Sequence, residues 1–570
     1  MVTGRDGHGA ARTPGAASDV PLVPSARPWH DRRGCPVVAD RSLPPKPERY
    51  VDSNRMTACP DKHLTGRLAM RQSPHRTLVC VVAEGGCTIR DDGEVGTTML
   101  PQVEGPLGTA GRPRWPVGVL EVRRATVLCG PRVRPFLSMS VRVTFGGSSQ
   151  IRWEGELAEI ITSEHGKVVS DVLGEISRSQ EVVKFATSLA LHLKGEYSEQ
   201  VSTGVDVYST RQPVGVVGII SPFNFPAMVP MWFFPIAVAA GNAVILKPSE
   251  KDPSAAIWLA KLWKEAGLPD GIFTVLNGDK EAVDGLLTHP DGRAISFVGS
   301  TPIAKYVYET ATAHGKRVQA LDGAKNHMLV LPDADLNVTA DAAINAGFGS
   351  AGERCMAISV VVAVEPVADK LVEKISARIK TLKVGDGRRS CDMGPLVTAQ
   401  PRDKVASYID IATADGASVV MDDRGIDVDG DPNGFWLGPT LIDKVPTSSK
   451  VYTEEIFGPV LSVVRVKSHR DGVELINSGA FGNGTAIFAN DGGAARRFQN
   501  EVQVGMIGVN VPIPVPVATF SFGGLKESLF GDTKAHGAEG VKFCTQLKAI
   551  TSRWLEPSHG GINVGFPEND

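Results

Sequence analysis

Between residues 214 and 321 the chain alternates short apolar runs with stretches of helical periodicity, and this alternation limits the folds that it can adopt. The apolar runs predict strands, and the stretches between them predict helices. Five strands connected by four helices in this order indicate a parallel, doubly wound α/β sheet. The predicted strands are residues 214–221, 243–247, 272–276, 294–298 and 318–321, and the predicted helices are residues 229–240, 253–266, 280–287 and 302–313.

The second predicted helix has recognisable signals at both ends. Asp252 is of the residue type that caps helix N-termini, Pro253 suits the first helical position, and Gly267 suits the residue after the last turn. We therefore expect Asp252 to be the N-cap of this helix.

Polar motifs follow three of the predicted strands, at the edge of the sheet where ligands of such folds bind. The motifs are PFNFP at 222–226, KPSE at 247–250 and GST at 299–301. The last motif leads into a helix that begins near Pro302, which suits a phosphate group at a helix N-terminus. Each loop also has the ordinary composition of a turn, and no G-x-G-x-x-G motif follows a predicted strand.

A single cysteine, Cys355, lies in the small-residue loop GSAGERCMAIS at 349–359, ahead of an apolar run that predicts a buried strand. The thiolate is the reactive form of cysteine, and we expect the positive charge of Arg354 to lower the pKa of the Cys355 thiol. The alternative is an inert buried cysteine, since free cysteines are commonly buried. Taken alone, the loop leaves both interpretations open.

Composition excludes several classes of protein. The chain of 570 residues is 42% hydrophobic and 22% charged, which predicts a globular protein of two or three domains. Its net charge of −3 gives no basis for binding nucleic acid or an anionic membrane. Eight cysteines are too few for a disulfide scaffold, and no apolar run reaches the roughly 18 residues of a membrane span, so we expect a cytoplasmic protein.

Residues 1 to about 110 differ from the rest of the chain. They are rich in Pro, Gly and Arg, and hydrophobic periodicity lasts only a few residues, so we expect disorder or weak structure. Residues 77–83 form the one strand candidate there. The cysteines of this region lack the paired C-x-x-C spacing of zinc sites, and no metal site is predicted.

Together the motifs resemble the aldehyde dehydrogenase superfamily in order and spacing. The set consists of PFNFP at 222–226, KPSE at 247–250, FVGST at 297–301, Cys355 and EEIFGP at 454–459. Further motifs look like those of the CoA-acylating methylmalonate-semialdehyde dehydrogenases, namely GAKNH at 323–327, GERCMAIS at 352–359 and NVPIPVP at 510–516. The resemblance covers roughly residues 151 to 570.

The resemblance implies a Rossmann-type cofactor domain, an α/β catalytic domain and a small oligomerisation flap, in a homodimer or homotetramer. On this basis residues 111–194 and 212–323 form the NAD-binding domain, and residues 324–520 form the catalytic domain. Residues 195–211 and 545–570 form the flap and the C-terminal segment. In the family the last strand of the flap completes the sheet of a partner.

The resemblance also implies chemical roles. Cys355 would attack an aldehyde, and the amide of Asn224 with the backbone N–H of Cys355 would stabilise the oxyanion. Hydride transfer to NAD would then leave a thioester on Cys355. The residues implied to bind the cofactor are Phe223, Lys247, Glu250, Ser300, Glu455 and Phe457. Glu250 favours NAD over NADP, because its carboxylate would repel a ribose phosphate.

Position 321 bears on how the thioester is released. Hydrolytic members of the family have a glutamate base at the head of a Glu-Leu-Gly-Gly-Lys stretch, and anchoring that stretch on Lys325 places Leu321 at its head. Without a base to activate water, CoA becomes the expected acyl acceptor. Asp322 departs from the family pattern. Its carboxylate must be solvated or paired, because burying it otherwise costs free energy. Asp322 is also a rival candidate for the base.

The subfamily acts on semialdehydes that carry a carboxylate, which arginine binds bidentately. Arg354 and Arg178 are the implied substrate-binding residues, and loss of CO₂ would give acetyl-CoA or propionyl-CoA. A solvated surface arginine is the alternative for Arg178. Two other functions remain open: a hydrolytic aldehyde dehydrogenase that forms a free acid, and a catalytically inactive protein that binds nucleotide or joins family oligomers.

Overall fold

The computed structural model describes residues 147–428 and 433–555, together with two short strands, β1 (Cys80–Ala83) and β2 (Gly86–Ile89). β1 and β2 pair antiparallel with each other, so the strand predicted at 77–83 is confirmed over residues 80–83. The disorder expected for residues 1 to about 110 otherwise lies outside the described residues.

From residue 147 to residue 321 the elements follow the order that the periodicity predicts. Two helices, α1 (Gly147–His165) and α2 (Val169–Thr187), precede the hairpin of β3 (Tyr197–Ser202) and β4 (Val205–Pro213). The alternating elements are β5 (Val216–Ile220), α3 (Met228–Ala239), β6 (Ala243–Lys247), α4 (Ser254–Glu265), β7 (Phe273–Val275), α5 (Lys280–Thr288), β8 (Gly292–Val298), α6 (Thr301–Ala313) and β9 (Arg317–Leu321).

A second series of strands and helices follows β9. Its elements are β10 (Asn326–Val330), α7 (Leu336–Phe348), β11 (Ile358–Val364), α8 (Ala368–Ile379), α9 (Ala399–Ala414), β12 (Ser418–Met421), β13 (Thr440–Asp443), α10 (Lys450–Thr453), β14 (Val460–Val466), α11 (His469–Ser478), β15 (Phe481–Gly482), β16 (Gly484–Phe488), α12 (Gly492–Glu501), β17 (Met506–Val509), β18 (Leu525–Lys526), β19 (Leu529–Phe530), α13 (Gly537–Phe543) and β20 (Thr545–Arg553).

The first large sheet confirms the predicted doubly wound α/β fold. Its strand order is β19-β9-β8-β5-β6-β7, and the pairs from β9 to β7 are parallel. The chain enters at β5, winds outward through β6 and β7, and then returns to β8 on the other side of β5. The loops after β5 and β8 therefore flank the switch point at which such sheets bind ligands.

A second sheet has the order β12-β13-β14-β11-β10-β16-β17 and is parallel except for β12. β10 and β11 are almost entirely buried, and β11 is almost entirely apolar, as expected for parallel strands covered on both faces. Residues 322–325 connect β9 of the first sheet directly to β10 of the second. Helices of the described part of the chain are all too short or too polar to cross a membrane.

The third sheet has the order β20-β4-β3 and contains the elements of the predicted flap. β20 pairs with β4 of its own chain from Thr545 opposite Pro213 to Arg553 opposite Val205. Most of β20 and β3 is exposed. The assembly of this sheet with a partner, and the assignment of domains to cofactor binding and catalysis, stay predictions.

The start of α4 differs from the prediction. The helix begins at Ser254, and Asp252 is 1% exposed with neither carboxylate oxygen hydrogen-bonded within the described residues. Glu164 of α1 takes the capping role, accepting from the backbone N–H of Ser254 at 3.1 Å and from its hydroxyl at 2.5 Å. The prediction of an Asp252 cap is wrong, because a carboxylate from a distant helix satisfies the first turn instead. Burial raises the pKa of Asp252 to about 9.

Candidate active site

A cleft of about 270 Å³ brings together loops that follow β5, β8 and β9 with loops of the second sheet. Of the residues predicted for the site, it collects Phe223, Asn224, Ser300, Cys355, Glu455 and Phe457. It does not include Lys247, Glu250, Arg178 or Arg354. The other lining residues are Pro222, Val298, Gly299, Asp322, Gln400, Pro401, Lys404 and Ile456.

The Cys355 thiol lies in this cleft with a pKa raised to about 12. Burial is the main cause, and the negative charge of Glu455 adds to it. The backbone N–H groups of Cys355 and Met356 and the charge of Arg354 act in the opposite direction, but they do not outweigh burial. The charge of Arg354 lowers the pKa of the Cys355 thiol as expected, but burial outweighs it and the pKa is raised overall.

The Arg354 side chain is held outside the cleft. Its guanidinium donates to the Asp171 carboxylate of α2 at 2.6 Å, and both side chains are less than one-fifth exposed. Gly349 makes room for it, because a Cβ atom at position 349 would lie 2.4 Å from the Arg354 Nη1 atom. The role of Arg354 as a substrate ligand stays a prediction.

Two asparagines fix the backbone at the cysteine. The Asn326 amide donates to the carbonyl oxygens of Cys355 and Ala357, each at 2.9 Å, and Asn483 donates to the same Cys355 carbonyl at 3.0 Å. The two asparagines are also linked through Gly484, whose backbone N–H donates to Asn326 at 3.0 Å. Sequence reasoning missed this positioning, since Asn483 is 128 residues from Cys355 and carries no local signal.

A buried ion pair holds the loop that carries Asn224. Lys167 and Glu175, whose side chains are 0% exposed, form a salt bridge between the start of α2 and the segment before it. Lys167 also donates to the Asn224 backbone carbonyl at 2.8 Å, and Glu175 accepts from the backbone N–H groups of Ala227 and Met228, both at 2.9 Å. The loop is thus fastened at Asn224 and at the residues that follow it, and Asn224 is 3% exposed and lines the cleft.

Two loops with strained backbone meet beside the cysteine. Ser350 and Ala351 have φ of 52° and 51°, and Phe457 has φ of 60°, values that residues with a side chain rarely adopt. Gly352 is packed against the second loop, because a Cβ at position 352 would lie 2.2 Å from the Gly458 carbonyl oxygen. Strain of this kind persists where the surroundings impose it, often at functional sites.

Two carboxyl groups line the cleft with Cys355. Asp322 is 5% exposed, and neither of its oxygens has a hydrogen-bond partner among the described residues. Burial, followed by the charges of Glu455 and Glu527, raises the pKa of Asp322 to about 8. Burial also raises the pKa of Glu455 to about 7, although the Ala324 N–H donates to it at 2.9 Å. Asp322 is thus neither solvated nor paired.

Leu321, at the position predicted to lack a base, is 3% exposed. It belongs to the apolar cluster that includes Met356 and against which Cys355 packs. An alkyl side chain at this position cannot accept a proton. The neighbouring loop is held by Lys325, which donates to the carbonyls of Val451 and Glu454 at 2.7 and 2.8 Å, so it is tied to the EEIFGP segment.

The first sheet presents the residues predicted for a cofactor. Lys247 donates to Glu250 at 3.0 Å, and although burial raises the pKa of Glu250, hydrogen bonds from its own backbone N–H and from Lys247 lower it overall. Ser300 stands before α6, where its exposed side chain makes no capping hydrogen bond. The N-terminal end of α6, which carries the positive end of the helix dipole, therefore lies next to the cleft. Gln400 and Lys404, which also line the cleft, were not found from the sequence.

Arg178 lies on α2 and is about one-third exposed. It donates to Glu181 at 2.9 Å and to the backbone carbonyl of Val515 at 2.9 Å. Val515 is part of the NVPIPVP segment, so Arg178 is connected to a subfamily motif although it does not line the cleft. Its role in substrate binding stays a prediction.

Known proteins share both the sequence and the geometry. The aldehyde dehydrogenase family profile matches residues 151–550. A malonate-semialdehyde dehydrogenase of Pseudomonas aeruginosa is 55% identical over 418 residues, which cover 73% of this chain and 84% of the relative. Malonate-semialdehyde dehydrogenase 2 of Geobacillus kaustophilus is 49% identical over 403 residues, which cover 70% of this chain and 83% of that protein.

Solved structures agree with these relatives. The methylmalonate-semialdehyde dehydrogenase of Oceanimonas doudoroffii superposes with a TM-score of 0.73 at 49% identity, covering 76% of this chain and 88% of that one. A Sinorhizobium meliloti protein, crystallised as a complex with NAD, superposes with a TM-score of 0.72 at 49% identity. The superposition covers 75% of this chain and 86% of the Sinorhizobium chain. The family profile and these relatives show that the chain belongs to the aldehyde dehydrogenase family, and its cysteine cleft and two mostly parallel sheets agree with this.

Proposed function

We propose that this chain oxidises malonate or methylmalonate semialdehyde with NAD and transfers the acyl group to CoA, giving acetyl-CoA or propionyl-CoA with release of CO₂. The names of the relatives support the substrate class. The observation that carries the acylating part is the residue at the position of the family's base: Leu321 is a buried alkyl side chain in the apolar cluster against which Cys355 packs, and it cannot activate water.

Cys355 is the proposed nucleophile, and Asn224 the proposed oxyanion ligand. Both side chains line the same cleft, and the Lys167–Glu175 pair and the two asparagines keep their backbones in place. The thiol must lose its proton as the S–C bond forms, because its pKa is raised to about 12. The amide of Asn224 and the N–H of Cys355 then stabilise the charge that develops on the aldehyde oxygen.

The cleft has features that fit NAD. The N-terminal end of α6 at Ser300 suits a phosphate through the helix dipole, and the Lys247–Glu250 pair suits the hydroxyl groups of a ribose. Glu455 and Phe457, with Phe223 edge-on to Phe457 at 6.0 Å, would hold the nicotinamide ribose and ring. Bound NAD would accept the hydride released when the thiohemiacetal on Cys355 becomes a thioester. Because the raised pKa keeps Asp322 mostly protonated at pH 7, its carboxyl adds little charge against an anionic cofactor.

The thiol of CoA is the proposed acyl acceptor, since it brings its own nucleophile and needs no base at position 321. Arg354 and Arg178 are the proposed ligands of the substrate carboxylate, although both contact other groups in the free protein. The sheet of β20, β4 and β3 is the proposed contact of a homodimer or homotetramer, because it exposes large apolar side chains such as Tyr197 and Leu547.

The deciding experiment follows NADH and identifies the acyl product from malonate semialdehyde with and without CoA. At pH 7 we expect a burst of one equivalent of NADH per Cys355 without CoA, followed by turnover that is much slower than with CoA, and acetyl-CoA as the product when CoA is present. The Cys355→Ala variant provides the matched control and should form no NADH while it still binds NAD. Turnover to a free acid at a rate that CoA does not increase would favour a hydrolytic enzyme, and NAD binding without any turnover would favour an inactive nucleotide-binding protein.

A further inference from the structure

Asp322 occupies an unusual place in the cleft. It is the first residue of the loop that leads from β9 to β10, and its backbone is anchored by a hydrogen bond from its N–H to the Ser528 carbonyl at 3.3 Å. Its side chain lines the same cleft as Cys355. The side chain is 5% exposed, and both oxygens lack a partner among the described residues.

The groups around Asp322 do not neutralise it. Glu455, from the loop before β14, and the exposed Glu527, from the turn between β18 and β19, are negative and both raise its pKa. Cys355 and Lys404 are the other titratable side chains that line the cleft. Burying a carboxyl group without a partner destabilises the folded chain. Asp322 is a residue of the cleft wall, and its buried carboxyl group has no partner among the described residues, which indicates a partner that reaches it from the cleft.

We propose that Asp322 is a general base for water, and that it gives this chain a second, hydrolytic exit from the acyl-enzyme besides transfer to CoA. The inference rests on the proposed thioester at Cys355. Leu321, next to it, is alkyl and cannot take this role, so the carboxyl group lies one residue further along the chain than in the hydrolytic pattern.

The chemical step balances with water as the one added reactant. Asp322 accepts a proton from water while the water oxygen forms a bond to the thioester carbonyl carbon. The tetrahedral intermediate collapses with cleavage of the C–S bond, which releases a carboxylic acid. The Cys355 thiolate then recovers the proton, and no electron acceptor is needed in this step.

Hydrolysis of the acyl-enzyme through Asp322 should become faster as the pH rises. The pKa of Asp322 is raised to about 8, so at pH 7 most molecules carry the protonated form, which cannot accept a proton. Above pH 8 the carboxylate predominates. Hydrolysis in the absence of CoA should therefore increase across pH 7 to 9 and then level off.

The test uses the full chain with p-nitrophenyl acetate, without NAD or CoA. This ester acylates Cys355 directly, so the burst of p-nitrophenolate reports acylation and the steady rate reports deacylation. Relative to Cys355→Ala as background, Asp322→Asn should keep the burst and lower the steady rate by about 10²–10⁴, the usual worth of general-base assistance. Asp322→Gly, which removes the side chain altogether, should give the same result.

Glu527→Gln is the matched control. It removes an exposed negative charge near Asp322 but no group of the cleft. It should shift the pH profile of the steady rate to lower pH and leave the plateau unchanged, an effect that a purely structural Asp322 would not produce.

The proposal is overturned if Asp322→Asn and Asp322→Gly keep the steady rate and its pH profile, or if they lose the burst as well. CoA-dependent formation of acyl-CoA is measured separately with malonate semialdehyde and NAD. If that reaction is absent in the wild-type chain, the proposed function fails, while the ester assay still reports on Asp322.

Discussion

Two buried carboxyl groups of this molecule have opposite surroundings. Glu175, under the loop of Asn224, pairs with Lys167 and accepts two backbone N–H groups. Asp322, beside Cys355, has no partner in the described chain and lies near two further acids. Both are at least nine-tenths buried, so burial alone does not explain the difference.

The difference separates the groups that build the site from those that are available for chemistry. A carboxylate with all its hydrogen bonds satisfied fixes the geometry of its neighbours, whereas an unsatisfied one retains an unmet need for a proton or a ligand. On this view Glu175 supports the loop of Asn224, and Asp322 acts on what enters the cleft. Four variants test the distinction.

The largest effect is expected for Glu175→Gln. The amide can still accept from the backbone, but it leaves the Lys167 ammonium buried and unpaired, which typically costs about 3–5 kcal/mol of the free energy of unfolding. Urea unfolding measures this loss. Glu474→Gln, in an exposed pair with Arg470, serves as the control and should cost less than about 1 kcal/mol. Equal losses of the free energy of unfolding in the two variants would mean that the buried Lys167–Glu175 pair contributes no more than the exposed pair.

Asn224→Ala should affect the reaction more than the fold. Lys167 donates to the backbone carbonyl of Asn224, which alanine retains, so the loop should stay in place. Loss of one oxyanion ligand is expected to slow NADH formation by about 10²–10³. Stopped-flow measurement of the first turnover, beside urea unfolding of the same variant, checks both parts. If Asn224→Ala lost as much free energy of unfolding as Glu175→Gln, Asn224 would instead be a structural residue.

Asp322→Asn should alter how stability depends on pH. The pKa of Asp322 is raised from 3.8 to about 8, so between these values the folded chain holds a proton that the unfolded chain releases. The contribution of Asp322 protonation to the free energy of unfolding is therefore fully present below about pH 4 and falls as the pH rises to about 8. The variant lacks this decline, and we expect it to gain about 1–3 kcal/mol relative to wild type between pH 5 and pH 8.5.

Urea unfolding at several pH values measures that difference. Glu353 and Asp252, whose pKa values are also raised by burial, contribute the same decline to both proteins and cancel. A constant difference between the two curves would mean that Asp322 is ionised in the folded chain at all these pH values.

The smallest effect is expected for Asp171→Asn, which weakens the hold on Arg354. If Arg354 binds the substrate carboxylate, freeing it should lower the KM for malonate semialdehyde by up to about fivefold, since such a pair contributes roughly 1 kcal/mol or less. The KM for propanal, which has no carboxylate, is the internal control and should not change. Parallel changes for both aldehydes would argue against Arg354 as the ligand.

Much of the fold could be predicted because its information is local. Apolar runs and helical spacing predicted the strands of the first sheet and the helices between them within one to a few residues, and β6 matched at both ends. Helix α2, which spans Val169–Thr187, is harder to recognise from its apolar spacing. Its buried Glu175, Ser179 and Gln180 interrupt the apolar period, because they face polar partners rather than a hydrophobic core.

The site could be predicted only as a set of motifs. Cys355, Asn224 and Glu455 were found because each lies in a recognisable stretch, and the cleft does bring them together. The supports of these residues were missed: Lys167 is 57 residues from Asn224, and the partner of Arg354 is 183 residues away. Contacts at such separations depend on the finished fold and leave no local pattern. The raised pKa of Cys355 was missed for the same reason, since burial is a property of the whole cleft.

The pairing of β20 with β4 has a consequence for how the protein is made. Trp554, just past β20, donates to Asp206 from 348 positions away, and β20 itself is the outer neighbour of β4. β3 and β4 emerge from the ribosome long before β20, so the edge of β4 that later pairs with β20 stays unpaired during most of translation. Such an edge is a site of unwanted strand pairing. A cell that makes this protein rapidly should therefore need chaperone help at the hairpin, and slower translation after residue 213 would not relieve it.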